Sequence, residues 1–151
     1  MTPKNTIQAK VIRCNGDIIL AETDAKNQMY LFLGYTHPEY KKLKKKKTYQ
    51  FLLDIYTTLI DDGRKDVVEH AEKKYLLNYE FKGGSVYEGI VHGEIIRSIN
   101  IQEGFMHWIK VDCGIVNWRN PDQIKNGTFV KIRARLDVDK IYDLNDNILK
   151  L

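Results

Sequence analysis

Hydrophobic and polar residues alternate along most of this chain with the two-residue period of β-strands. Ile7, Ala9 and Val11 alternate with Gln8 and Lys10, which predicts a half-buried first strand. Asn15-Gly16-Asp17 predicts a turn, and Ile18 to Ala21 continues as a second strand. Gln28 to Leu33 reads as a third strand closed by Gly34, after which His37-Pro38-Glu39 opens an irregular or briefly helical connection. In a fourth strand, Thr48 to Tyr56, the residues Tyr49, Phe51, Leu53 and Ile55 share one face and are expected in the core.

The period changes after Asp61-Asp62-Gly63. Val68, Ala71, Tyr75 and Tyr79 recur at spacings of three and four, predicting a helix over Arg64 to Tyr79 with Asp62 or Asp66 as its cap. Beyond Gly83-Gly84 the two-residue period returns. Val86 to Ile99 reads as one long strand that Gly89 and Gly93 allow to bend. Gln102-Glu103-Gly104 predicts a hairpin turn into Phe105 to Cys113. On that strand Phe105, His107, Ile109, Val111 and Cys113 take one face, and Met106, Trp108, Lys110 and Asp112 the other. A short strand at Ile115 to Trp118 precedes the loop at Asn120-Pro121-Asp122. Thr128 to Val138 alternates strictly, and Ile148 to Leu151 is expected to add a last strand.

The halves share an order of parts. Gly34, Pro38, Leu43-Lys44 and Thr48-Tyr49 precede one alternating strand; Gly114, Pro121, Ile124-Lys125 and Gly127-Thr128-Phe129 precede another. An internal repeat is therefore expected. Gly89-Ile90-Val91-His92-Gly93, Val111-Asp112-Cys113-Gly114 and the stretch from Ile124 to Ile132, with its Lys125-Asn126-Gly127 turn, resemble small β-barrels of the OB-fold family. The resemblance covers residues 86–144 and, more faintly, 7–60, where lysine replaces the turn glycine; SH3-like barrels share several of these features. The expected fold class is mainly β: two small OB-like or SH3-like barrels joined by one α-helix. The first barrel would span 1–62, the linking helix and Gly-Gly linker 63–84, and the second barrel 85–151. What the resemblance implies is binding of single-stranded nucleic acid on the second and third strands of a barrel.

Composition narrows the classes. With 43% hydrophobic and 29% charged residues among 151, a packed core is expected. No apolar run suits a membrane-spanning helix, and Met1-Thr2-Pro3-Lys4-Asn5 lacks the order of a signal peptide. Two cysteines, Cys14 and Cys113, are expected as reduced thiols in a cytoplasmic protein. The net charge is only +4, but residues 1–63 hold 10 basic against 7 acidic groups. Lys41, Lys42, Lys44, Lys45, Lys46 and Lys47 form a dense run, either a solvated loop or an electrostatic arm for phosphates.

Candidate chemistry then follows from the outward positions. Met106, Trp108 and Trp118 would stack bases, and Lys110, Arg119, Lys131, Arg133 and Arg135 would meet phosphates. The same tryptophans would equally serve to pack between units, and the same cations as an ordinary solvated face. His37, His70, His92 and His107 lack metal-ligand spacing, and the Asp137 to Asn147 carboxylates lack the glycine and terminal glutamate of a calcium loop. No metal, no cofactor and no catalytic residues are expected. The expected function is non-enzymatic binding of single-stranded DNA or RNA; the alternative is a protein-interaction module, an adaptor or inhibitor subunit, using the same surface. No membrane partner is expected.

Overall fold

Alternation this persistent leaves one face of each strand to be buried, and the chain satisfies it by wrapping strands rather than stacking layers. The structure, a computed structural model, describes residues 5–15, 17–33, 43–56, 67–79 and 88–149. Among the described residues ten strands run in order: β1 (Ile7–Asn15), β2 (Ile18–Glu22), β3 (Gln28–Phe32), β4 (Thr48–Tyr56), β5 (Val67–Glu69), β6 (Leu76–Tyr79), β7 (Glu88–Ile101), β8 (Gly104–Val111), β9 (Gly114–Asn120) and β10 (Phe129–Tyr142). The described residues contain no helix, so the protein is mainly β as expected.

The ladders close into two circuits. In the first, β1 pairs with β2, β2 with β3, β3 runs parallel to β10 at Leu31–Leu136, β10 pairs with β4, and β4 returns to β1. In the second, β7 pairs with β8, β8 with β9, β9 runs parallel to β4 at Asn117–Asp54, β4 pairs with β10, and β10 returns to β7. Each circuit thus follows the same path, and each takes one strand from the other half of the chain. The strands β4 and β10 serve both.

The inward residues of these shared strands form one core. Tyr49, Phe51, Leu53 and Ile55 are buried from β4, as are Val130, Ile132, Ala134, Leu136 and Val138 from β10, all within a single apolar cluster that includes Ile19, Ile109 and Trp118. Two glycines permit the close crossings. A side chain at Gly93 would meet the Lys110 carbonyl oxygen at 2.0 Å, where β7 curls across β8. At Gly114, φ is +143° and a side chain would meet the Thr6 carbonyl oxygen at 2.2 Å, where β1 passes β9.

Each half also locks a β-bulge with the turn that enters its fourth strand. On β1 the register shifts between Val11 and Arg13, and on β7 between Ile95 and Arg97. The Lys46 amide donates to the Val11 carbonyl at 2.7 Å, as the Gly127 amide donates to the Ile95 carbonyl at 2.7 Å. The Val11 amide donates to Lys47, as the Ile95 amide donates to Thr128. Both turn residues are left-handed, Lys46 at φ 66° and Gly127 at φ 93°. The lysine that replaces the expected turn glycine therefore adopts the glycine conformation.

The helix expected over Arg64 to Tyr79 is not formed by its described part, Val67 onward. Val67–Glu69 pairs with Val130–Ile132 of β10, and Leu76–Tyr79 pairs with Gly89–His92 of β7. Open strand edges offered these residues backbone partners that an isolated helix would have to find within itself. His70, left-handed at φ 59°, breaks the chain between them. The supposed apolar stripe is not buried: Val68 is 49% exposed and Tyr75 40%. Arg64 and the caps Asp62 and Asp66 lie outside the described residues, as do the expected boundaries at 62/63 and 84/85. The described part of the expected last strand, Ile148 and Leu149, forms a single bridge, Tyr142–Ile148, because Asp143 Oδ1 accepts the amides of Asn145 and Asn147 and turns the chain; Lys150 and Leu151 lie outside the described residues.

Candidate nucleic-acid interface

Along β8 the inward residues His107, Ile109 and Val111 are buried, which turns Met106, Trp108 and Lys110 outward. The bulge on β7 decides their neighbours. Strict alternation from Glu94 would present Ile96 and Ser98; the extra residue shifts the phase, so Arg97 and Ile99 stand outward instead. Three cross-strand rows result on the outer face of β7, β8 and β9. They are Glu94–Lys110–Ile115, Arg97–Trp108–Asn117 and Ile99–Met106–Arg119.

Trp108 stands at the centre of this grid, half-buried, with the Arg97 guanidinium 5.0 Å from its ring centroid. Asn117 seals one side: its side-chain amide donates to the Asn5 and Leu53 carbonyls, and its oxygen accepts from the Asn5 amide. Ile99, 38% exposed, and Met106 add an apolar margin. Arg119 is exposed but bonded to Asp54 at 3.1 Å. Burial pushes the Asp54 carboxyl above its usual range, against the pull of the Arg119 charge. A phosphate would have to compete with that carboxylate, so Arg119 has less positive charge to offer than Arg97 or Lys110.

Tyr75 extends the grid at one corner. Its hydroxyl donates to Glu94 Oε1 at 2.7 Å, its ring lies edge-on to Phe129, and the Lys110 ammonium is 5.4 Å from its centroid.

The remaining expected site residues are elsewhere. Trp118 is fully buried at 0% exposure, 5.2 Å from the His107 ring, so it has no open face for a base. This corrects its assignment as a stacking platform: Trp118 opposes His107 across the ladder and so points into the core. Lys131, Arg133 and Arg135 lie along the other end of β7, opposite His92, Ile90 and Glu88. Lys131 is exposed, Arg133 Nε is buried without a hydrogen-bond partner among the described residues, and Arg135 forks onto Asp137 while covering the Phe32 ring at 4.1 Å. Lys44, Lys45, Lys46 and Lys47 are exposed side chains on the turn that locks β1. Of these, Lys47 is seven residues from Asp54 along β4, roughly 23 Å at strand rise, so the structure does not bring them to Trp108. Lys41 and Lys42 lie outside the described residues.

On the corresponding face of the first circuit the chain itself meets the two aromatic rings of β3. Tyr30 meets Tyr79 edge-on at 5.1 Å, and Phe32 lies under Arg135. Sequence reasoning missed Arg97 and Tyr75, the first through the bulge and the second through the helix assignment. A signal for the bulge was present: Val11-Ile12-Arg13 and Ile95-Ile96-Arg97 each break the alternation with adjacent apolar residues before an arginine.

Among the described residues no group of histidine, cysteine and carboxylate side chains is arranged to hold a metal. Burial pushes the Cys113 thiol far above its ordinary range, which leaves it a poor nucleophile. No helix among the described residues is long and apolar enough to cross a membrane. No protein-family model matches the chain, and no curated protein matches it.

Proposed function

We propose that this protein binds single-stranded nucleic acid without catalysis, through the outer face of β7, β8 and β9. The observation that carries the reading is Trp108, a half-open aromatic ring flanked by Arg97 and Lys110 and bordered by Met106 and Ile99. A base stacks on such a ring with a contribution of about 1–3 kcal/mol, and the adjacent cations take the phosphates. The two strand circuits support an OB-like reading of each half: among the described residues both are five-stranded, both begin with a strand that carries a β-bulge, and both enter the fourth strand through a left-handed turn. In that fold the second and third strands carry the binding face. The shared path, paired bulges and paired turns likewise support an internal duplication.

Fluorescence anisotropy with labelled single strands across a salt series tests this. Binding should fall steeply with salt, as counterions released by phosphate contacts require, and a duplex of the same length should bind more weakly. Trp108→Ala should weaken single-strand binding about fivefold or more, the loss of one base–aromatic stack, with the far-UV circular dichroism spectrum unchanged. Absence of binding at low salt would overturn the reading in favour of a protein partner on the same apolar and aromatic face.

A further inference from the structure

We propose that Tyr75, Lys110 and Glu94 form a second base position beside Trp108, selective for bases that carry an exocyclic amino group. The inference rests on the nucleic-acid reading of the Trp108 face and adds a residue from the segment between the two halves. Tyr75 is 40% exposed, and its ring is held on three sides: edge-on to Phe129, under the Lys110 ammonium, and by its hydroxyl on Glu94. A ring fixed in this way has little conformational entropy left to lose when a base stacks on the face turned away from Lys110.

Lys110 ties the two rings to one strand. Lys110 follows Trp108 by two residues on β8, about 7 Å at strand rise, and its ammonium reaches to 5.4 Å from the Tyr75 centroid, so one cation connects the two rings. Two bases splayed onto Trp108 and Tyr75 would leave the phosphate between them facing Lys110. Arg97 stands across from Trp108 on β7, the strand that also carries Glu94, so each ring has a cation beside it, Arg97 at Trp108 and Lys110 at Tyr75.

Glu94 supplies the selectivity. An ionised carboxylate only accepts hydrogen bonds, and the Tyr75 hydroxyl occupies one of its oxygens. The cytosine and adenine amino groups donate, whereas thymine offers a carbonyl oxygen at the corresponding edge. A carboxylate beside the ring therefore favours the amino-bearing bases and repels the carbonyl.

Anisotropy titrations of labelled oligo-dC and oligo-dT of equal length at low salt, with the wild-type protein and variants, decide the point. The wild type should bind oligo-dC several-fold more tightly than oligo-dT. Glu94→Gln, whose amide both donates and accepts, should bring the two together. Tyr75→Ala should weaken oligo-dC about tenfold, and Tyr75→Phe should retain most of the affinity because the ring remains. Binding that Trp108→Ala diminishes but Tyr75→Ala leaves unchanged would refute the second position alone. Equal or tighter binding of oligo-dT by the wild type would refute the selectivity. If the wild type binds neither oligonucleotide, both the second position and the underlying nucleic-acid reading fall.

Discussion

His107 shows how a polar side chain is accommodated where the strand pattern demands an apolar one. Its ring is fully buried, with Nε2 3.1 Å from the Asp122 carbonyl and Nδ1 2.6 Å from Ser98 Oγ. A carbonyl can only accept, so Nε2 carries the proton, and the neutral ring receives the Ser98 hydroxyl at Nδ1. Burial holds the imidazole below its ordinary value of 6.5. The folded state thus binds a proton less readily than the unfolded chain. The stability this contributes is present above pH 6.5 and is lost as pH falls through the lowered folded value. Thermal unfolding should accordingly show a midpoint that drops between neutral and mildly acidic pH. His107→Gln should have a shallower slope over that window; an unaltered slope would assign the dependence to another group.

At the scale of elements, the bulge and turn act as one unit. The bulge re-aims Arg97 onto Trp108, and the Gly127 turn holds the bulge by two backbone hydrogen bonds. Gly93 precedes the bulge by two residues and lets β7 curl across β8. Gly93→Ala would drive a methyl group into the Lys110 backbone, which cannot swing away as a side chain can. A destabilisation of about 1–3 kcal/mol or more is expected, read as a lower denaturation midpoint. Binding by the fraction that remains folded should also weaken, since Trp108 and Lys110 ride on the displaced strand. A midpoint equal to that of the wild type would mean that the strands can separate here without loss.

At the scale of the whole molecule, neither circuit closes without a strand from the other half. The first needs the middle of β10, Leu136 and Asp137, against β3, and the second needs the end of β4 against β9. Ile19, on β2, belongs to the first circuit and is fully buried in the common core. Ile19→Ala should remove about 2–5 kcal/mol of stability through lost burial and a residual cavity. Both tryptophans, Trp108 and Trp118, are in the second half, so their fluorescence reports on the other circuit. The tryptophan transition should nevertheless shift with the Ile19 variant and coincide with the loss of circular dichroism. Two separable transitions, with only one displaced, would show the halves unfolding independently.

Much of this architecture was legible locally. Strand positions, the inward faces of β4 and β10, and the outward placement of Met106, Trp108 and Lys110 follow from a two-residue period that every strand must obey. The turn into each fourth strand was also readable from its residues. Tertiary structure decided the rest, because the deciding partners are distant in sequence. Val67–Glu69 and Leu76–Tyr79 became strands because β10 and β7 offered open edges, which no spacing within the segment can reveal. Trp118 went inward by its register with His107, and one bulge exchanged Ile96 for Arg97 beside Trp108. The sequence by itself determined which residues want burial. Only the closure of the ladders determined which strand each buries against, since hydrogen bonding between strands depends on backbone register and not on side-chain identity.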